Sequence, residues 1–247
     1  MSIAASALAA ESGSESASDA GVVSQAWTWL ASADSWSGDG GIGARILEHL
    51  GYSLLATVIA AVIGVALGVV VGHTGRGQGA VLGASGILRA MPSLGLLTFL
   101  ALIIPAGVTL PLIPSTIVLV ILAVPPILAA TASGFRSIDR SVIDAAYAMG
   151  HSTKQVIGRV EFPLAMPVLI GGLRSAWLQV LATATIAAYL GLGGLGRFLL
   201  DSLAVRDYGV MLGAAVLVAG LALVTDLVFT IAEKVLAAAG ARTGGAR

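Results

Sequence analysis

Five stretches of the chain, about 50–72, 80–105, 114–134, 164–190 and 208–233, are apolar over lengths that match a bilayer, and most charged residues lie between them. A spanning helix needs roughly 20 mainly apolar residues, so the pattern predicts an all-α integral membrane protein with five transmembrane helices. The run from Ala90 to Phe135 carries no charge and is interrupted by Pro105, Gly107, Pro111 and Pro114, which predicts a helical hairpin for the second and third spans. Gly64, Gly68 and Gly72 recur every four residues along the first span. Such a face suits close helix packing, although membrane helices also carry glycines with no such role.

The residues before the first span read differently. Residues 1–19 are rich in Ala and Ser, acidic, and lack the basic start and sustained apolar core of a cleavable signal peptide, so disorder is expected there. Residues 22–36 place Val23, Trp27 and Leu30 on one helical face but are too short and polar to span. With Trp27, Trp29 and Trp36 they predict an interfacial helix, followed by a linker from Ser37 to Gly43. The chain thus divides into an extracytoplasmic segment 1–43, a transmembrane domain 44–236 and a cytoplasmic tail 237–247.

Basic residues set the orientation. Five spans put Arg76, Arg136, Arg140, Lys154, Arg159, Lys234, Arg242 and Arg247 on one side and Arg45, Arg197 and Arg206 on the other. The loop 135–163 is therefore expected in the cytoplasm, in a multi-pass protein of the cell membrane.

Composition agrees and excludes several chemistries. Hydrophobic residues make up 57% of the chain, charged residues 11%, and the mean hydropathy is +0.97. Lipid is the expected solvent. The absence of cysteine removes thiolate metal sites and cysteine nucleophiles, and the formal charge of zero gives no nucleic-acid signal. His49, His73 and His151 stand apart from one another and from acidic pairs in sequence, which predicts surface or interfacial histidines and no metal site. Arg174 and Asp226 fall inside spans, where ionisable groups need a partner or a wet cavity. A mutual pair, or snorkelling to the interface, is expected ahead of substrate contact.

The most informative segment is the polar interruption 141–163. Ser141 with Asp144 matches a capping-box-like helix start, Gly150 is placed to end that helix in a left-handed conformation, and Ser152 with Gln155 starts a second helix that Pro163 follows. The segment resembles the cytoplasmic "EAA" loop of ABC importer permeases, whose pattern is E-A-A, three residues, G, nine residues, then I-x-L-P. Here it reads Asp144-Ala145-Ala146, three residues, Gly150, nine residues, Val160-Glu161-Phe162-Pro163. Asp replaces Glu at the first position, and Val and Phe replace Ile and Leu near the end.

Three further segments resemble the glycine betaine, carnitine and choline importers within that family. They are Arg89-Ala-Met-Pro-Ser-Leu-Gly-Leu-Leu-Thr98, Thr131-Ala-Ser-Gly-Phe-Arg-Ser-Ile-Asp139 and the run from Ala187 to Phe198. The last is also similar to methionine-type permeases. The resemblance implies a type I importer permease (MetI-like) bundle with a cytoplasmic coupling helix. It implies a non-catalytic subunit working with two ABC ATPase subunits that carry ATP and Mg, a second permease chain, identical or homologous, and an extracytoplasmic substrate-binding protein. Asp144, Ala145, Ala146, Gly150 and Thr153 would be the ATPase-coupling residues, with both alanines in the ATPase groove.

Nothing in this chain supplies a cofactor site. No G-x-x-x-x-G-K-[ST] phosphate loop is present, and Gly191-Leu-Gly193-Gly-Leu-Gly196 satisfies G-x-G-x-x-G but follows a membrane span where a dinucleotide site needs a strand. Ser93, Phe99, Trp177, Thr183 and Tyr189 are the candidates for a substrate pathway, with packing or backbone bonding as the alternative for each. A permease for methionine or another small solute, a secondary transporter and a non-transporting scaffold remain as competing readings.

Overall fold

The computed structural model describes residues 21–244 apart from 78, 80, 82, 84, 85 and 87–90, with side chains as far as Lys234. The expected disorder of residues 1–19 lies outside the described residues. The described helices are α1 (21–31), α2 (Ala33–Trp36), α3 (Ile42–Thr74), α4 (Ser93–Ile103), α5 (Leu112–Arg136), α6 (Arg140–Ala148), α7 (Thr153–Leu190), α8 (Gly196–Val205) and α9 (Tyr208–Gly244).

Four of them, α3, α5, α7 and the Tyr208–Lys234 part of α9, are long and apolar enough to cross a membrane. Of the predicted second span, 80–105, the described residues are helical at 81, 83 and 86 and over α4, whose 11 residues rise only about 16 Å. Much of that span's first half lies outside the described residues, so four spans rather than five are present among those described. The stretch predicted as a tail from 237 continues α9 as far as Gly244.

The glycine stripe of α3 is a packing surface. A Cβ added to Gly64, Gly68 or Gly72 would lie 2.9, 2.5 or 2.6 Å from the Cβ atoms of Ile127, Thr131 and Phe135, themselves spaced by four along α5. Backbone meets side chain over three turns, so α3 and α5 form the most extensive helix pair. Helix α7 closes the third side, where Ala56, Ala60, Leu119, Ala123, Ile127, Ala176, Val180 and Ala184 form the buried core.

Helix α5 runs through Pro125 and Pro126. Pro126 has no N–H for the Leu122 carbonyl four residues back, and an orphaned carbonyl in lipid is costly. Gln179 of α7 donates its side-chain amide to that oxygen at 3.3 Å.

The second helix of the loop does not end before Pro163, as the sequence suggested. It runs from Thr153 to Leu190, with a π-helical turn at Ile157–Glu161 directly ahead of the proline. The wider turn accommodates the missing N–H and ring of Pro163, so the chain stays helical. Arg174 of α7 and Asp226 of α9 form the expected pair, with Nε donating to Oδ1 and Nη2 to Oδ2, each at 2.6 Å, and Glu233 3.4 Å from Nη1. The planar guanidinium matches the carboxylate fork and ties α9, otherwise lightly packed, to the bundle.

Helix α1 packs Trp29 edge-on against Phe198 at 5.1 Å, and the Trp36 indole donates to the Leu30 carbonyl at 2.8 Å. The face carrying Val23 and Trp27 points away from the bundle and is exposed.

Candidate functional site

The loop between α5 and α7 is built from local signals. The cap of α6 is Asp139 and not Ser141: the helix begins at Arg140, and the Asp139 carboxylate accepts the Ser141 N–H at 2.9 Å. That bond, with a second from the Ser141 hydroxyl, holds the Asp139 carboxyl below the usual carboxylate range. Asp144, expected at the start, sits instead on the exposed middle of the helix.

The far end of α6 behaves as predicted. Gly150 has φ of +85°, its N–H reaches the Tyr147 carbonyl at 2.9 Å, and the His151 N–H reaches the Ala146 carbonyl at 3.2 Å. This pairing of the final N–H groups with carbonyls three and five residues back is a Schellman turn, and it requires a left-handed residue at position 150. Gln155 then accepts the Ser152 N–H at 2.8 Å and starts α7, with Thr153 exposed as its first residue.

The two predicted contact alanines part company. Ala145 is exposed, whereas Ala146 is buried within the chain, as is Val156 in the first turns of α7, which α6 touches. The outward face of α6 carries Val142, Asp144, Ala145 and Tyr147, and Met149 beyond it is 72% exposed. A water-facing helix gains nothing from such a row, so it is suited to a partner.

The pathway candidates do not converge. Ser93 and Thr183 line one small cavity together with Ser115, whose buried hydroxyl has no partner among the described residues. Tyr189 lines a separate apolar cleft of about 250 Å³ with Leu94, Thr185 and Leu200. Trp177 is buried against Phe229, their rings 6.3 Å apart, and Phe99 is 58% exposed on α4. Only Ser93 and Thr183 share a site.

The sequence reading misplaced His49 and missed the partner of His73. His49 is fully buried, its Nε2 2.9 Å from the Leu181 carbonyl, and His73 Nδ1 lies 2.7 Å from a carboxylate oxygen of buried Glu161. Both partners are remote in sequence, which is why isolation along the chain misled. A signal existed for the second pair: His73 follows Gly72 of the stripe, and Glu161 stands between Val160 and Phe162. The glycine run was likewise undervalued. Added side-chain carbons at Gly193 and Gly194 would meet Glu48, Arg45 and His49 of α3, and Glu48 accepts the Gly194 N–H at 2.7 Å.

This fold matches that of solved transporters. A chain of the MetNI methionine ABC transporter in its inward-facing form superimposes with a TM-score of 0.70 over 79% of this chain and 95% of that one, at 20% identity. A second crystal form of the same transporter gives 0.67 at 22% identity, covering 77% and 93%. These establish the fold. Residues 60–237 match the family model of the binding-protein-dependent transport system inner membrane component. The chain belongs to that family.

Its relatives narrow the class. The choline transport system permease protein OpuBB of Bacillus subtilis is 32% identical over 79% of this chain and 88% of its own length. The glycine betaine/carnitine/choline permease OpuCB of the same organism is 31% identical, covering 76% and 84%. The carnitine permease OpuCB of Listeria monocytogenes is 33% identical, covering 72% and 80%. The chain is therefore an ABC importer permease subunit, a membrane component that works within a binding-protein-dependent system.

Proposed function

We propose that this permease imports a quaternary-amine compatible solute, of the choline, carnitine or glycine betaine class, with the loop 135–163 in the cytoplasm docked on an ATPase. The observation that carries the substrate class is the shared identity of 31–33%, over roughly three quarters of the chain, with permeases named for those solutes. The excess of basic residues on the loop side supports the orientation.

The complex would contain two permease chains, two ATPase subunits that bind ATP and Mg, and an extracytoplasmic binding protein. The row Val142, Asp144, Ala145, Tyr147 and Met149 would occupy a groove of the ATPase. ATP-driven closure of the ATPases displaces α6, the rigid turn at Gly150 passes the displacement to α7, and continuous helix from Thr153 carries it into the membrane. The permease itself binds solute weakly, because aromatics make up only 5% of the chain and a quaternary ammonium is held chiefly by an aromatic cage.

Reconstitution of the whole complex in vesicles with ATP tests the substrate. Labelled choline, carnitine or glycine betaine is expected to enter, each competing with the others. Uptake of methionine with no competition from a quaternary amine would replace this substrate class. The orientation is tested separately by a cysteine at Lys154, which should resist a membrane-impermeant maleimide in intact cells.

A further inference from the structure

The loop-side ends of α3, α5 and α7 meet at one polar contact. Glu161 closes the π-helical turn of α7, its side chain is 2% exposed, and its Oε2 lies 2.7 Å from His73 Nδ1 across 88 residues of sequence. His73 occupies the last turn of α3 and is 21% exposed. Beside the pair, Phe162 packs edge-on against Phe135 of α5, their rings 6.5 Å apart.

A carboxylate buried among helices is costly unless paired, and an apolar residue there would hold the bundle together at least as well. What a directed hydrogen bond adds is a fixed register between two helices. Helix α3 is not directly connected to α6, being separated from it by α4 and α5, whereas Glu161 lies in α7, which follows α6. The bond joins α3 to α7 directly at their loop-side ends, while the other polar contact between the two helices, His49 with the Leu181 carbonyl, lies at the far end of α3.

We infer that His73 and Glu161 form a clasp that carries the displacement of the α6 loop into α3, making both positioning residues for transport. This rests on the docking reading above. Without the clasp, α7 moves with the ATPase while α3 lags, and ATP is hydrolysed with less solute delivered.

The test uses the complete complex in vesicles and reads solute taken up per ATP hydrolysed, alongside the amount of ATPase that copurifies. H73L/E161M removes both polar ends together and leaves no unpaired buried charge. Uptake per ATP is expected to fall about fivefold or more, in the range of ordinary coupling energies, with copurified ATPase unchanged. E161Q, which can still accept a hydrogen bond, is expected to keep most of the coupling. A ratio within about twofold of wild type in H73L/E161M, on that same scale, would overturn the clasp. So would loss of assembly in that variant, which would mark the pair as purely structural. Ala145→Arg separates the two readings: full ATPase retention in it refutes docking through α6 whatever the clasp does.

Discussion

Helix α3 meets α7 and the segment that follows it differently at its two ends. At the start, Arg45, Glu48 and His49 lie against Gly193 and Gly194, where an added side-chain carbon would come within 3.0 Å of them, and two hydrogen bonds join the contact, one from the Gly194 N–H to Glu48 at 2.7 Å and one between His49 Nε2 and the Leu181 carbonyl at 2.9 Å. At the other end, Gly72 packs against Ala132 and Phe135 of α5, and the polar contact with α7 is the bond between His73 and Glu161, with exposed surface nearby. Close packing reinforced by two bonds permits few arrangements, whereas a lone hydrogen bond can be remade after a small rotation. Relative to α7, the glycine end is thus the fixed point and the loop end the more yielding one.

The largest expected effect comes from spoiling the fixed point. Gly194 has φ of +85° and an added Cβ would sit 3.0 Å from His49 Nδ1. Gly194→Val combines overpacking with a left-handed β-branched residue, together about 3 kcal/mol or more. The yield of folded, monodisperse protein after detergent extraction should collapse. Near-normal yield would show that the glycine end is not rigid.

A smaller loss follows in the middle of α3. Gly68→Ala puts a methyl group 2.5 Å from Thr131 Cβ, and neither helix can retreat without opening the Gly64 and Gly72 contacts. Overpacking of this kind costs about 1–3 kcal/mol. Thermal unfolding in detergent should move down, while Gly220→Ala, where an added Cβ meets nothing within 4 Å, should not move it.

At the loop end, backbone conformation, not packing, limits what the chain tolerates. An added side chain at Gly150 also meets nothing within 4 Å, so only its φ of +85° resists substitution. Gly150→Val should cost about 1–2 kcal/mol of local strain, leave insertion and extraction yield intact, and lower uptake relative to ATP hydrolysis. Loss of yield equal to that of Gly194→Val would erase the contrast between the two ends.

The smallest effect is electrostatic. The Asp139 carboxyl titrates below the ordinary carboxylate range when folded, so its contribution to α6 is fully present above the ordinary value and is lost as pH falls through the folded one. Amide exchange in α6 should quicken only in acid, and Asp139→Ala should remove that pH dependence.

The spans were legible because a lipid solvent demands unbroken apolar helices, and α3, α5, α7 and α9 announce themselves by that rule alone. Gly150 and Gln155 were legible because turn and cap chemistry is local. Asp139 was passed over since Ser141 and Asp144 also fit a capping pattern, and spacing cannot say which of two starts the chain takes. The continuity through Pro163 depended on a wider helical turn that no spacing encodes. The pairing of His73 with Glu161 was illegible for another reason: their neighbours along the chain hint at burial, but which polar groups meet depends on what lies across the bundle, and only the folded chain brings α3 to α7.

That wider turn also sets an angular offset. Each residue turns an α-helix by about 100°, so one residue more per turn at Ile157–Glu161 rotates the membrane part of α7 against the first residues that follow Ser152. The face that lies against α6 and the face that lies against α3 and α5 are consequently phased independently. Deleting Gly158, around which there is open space, would reunite the two phases and turn the first residues of α7, with Val156, away from α6, because the membrane part is held by the core, so the length of this short segment acts as the dial that aligns the two halves of one helix.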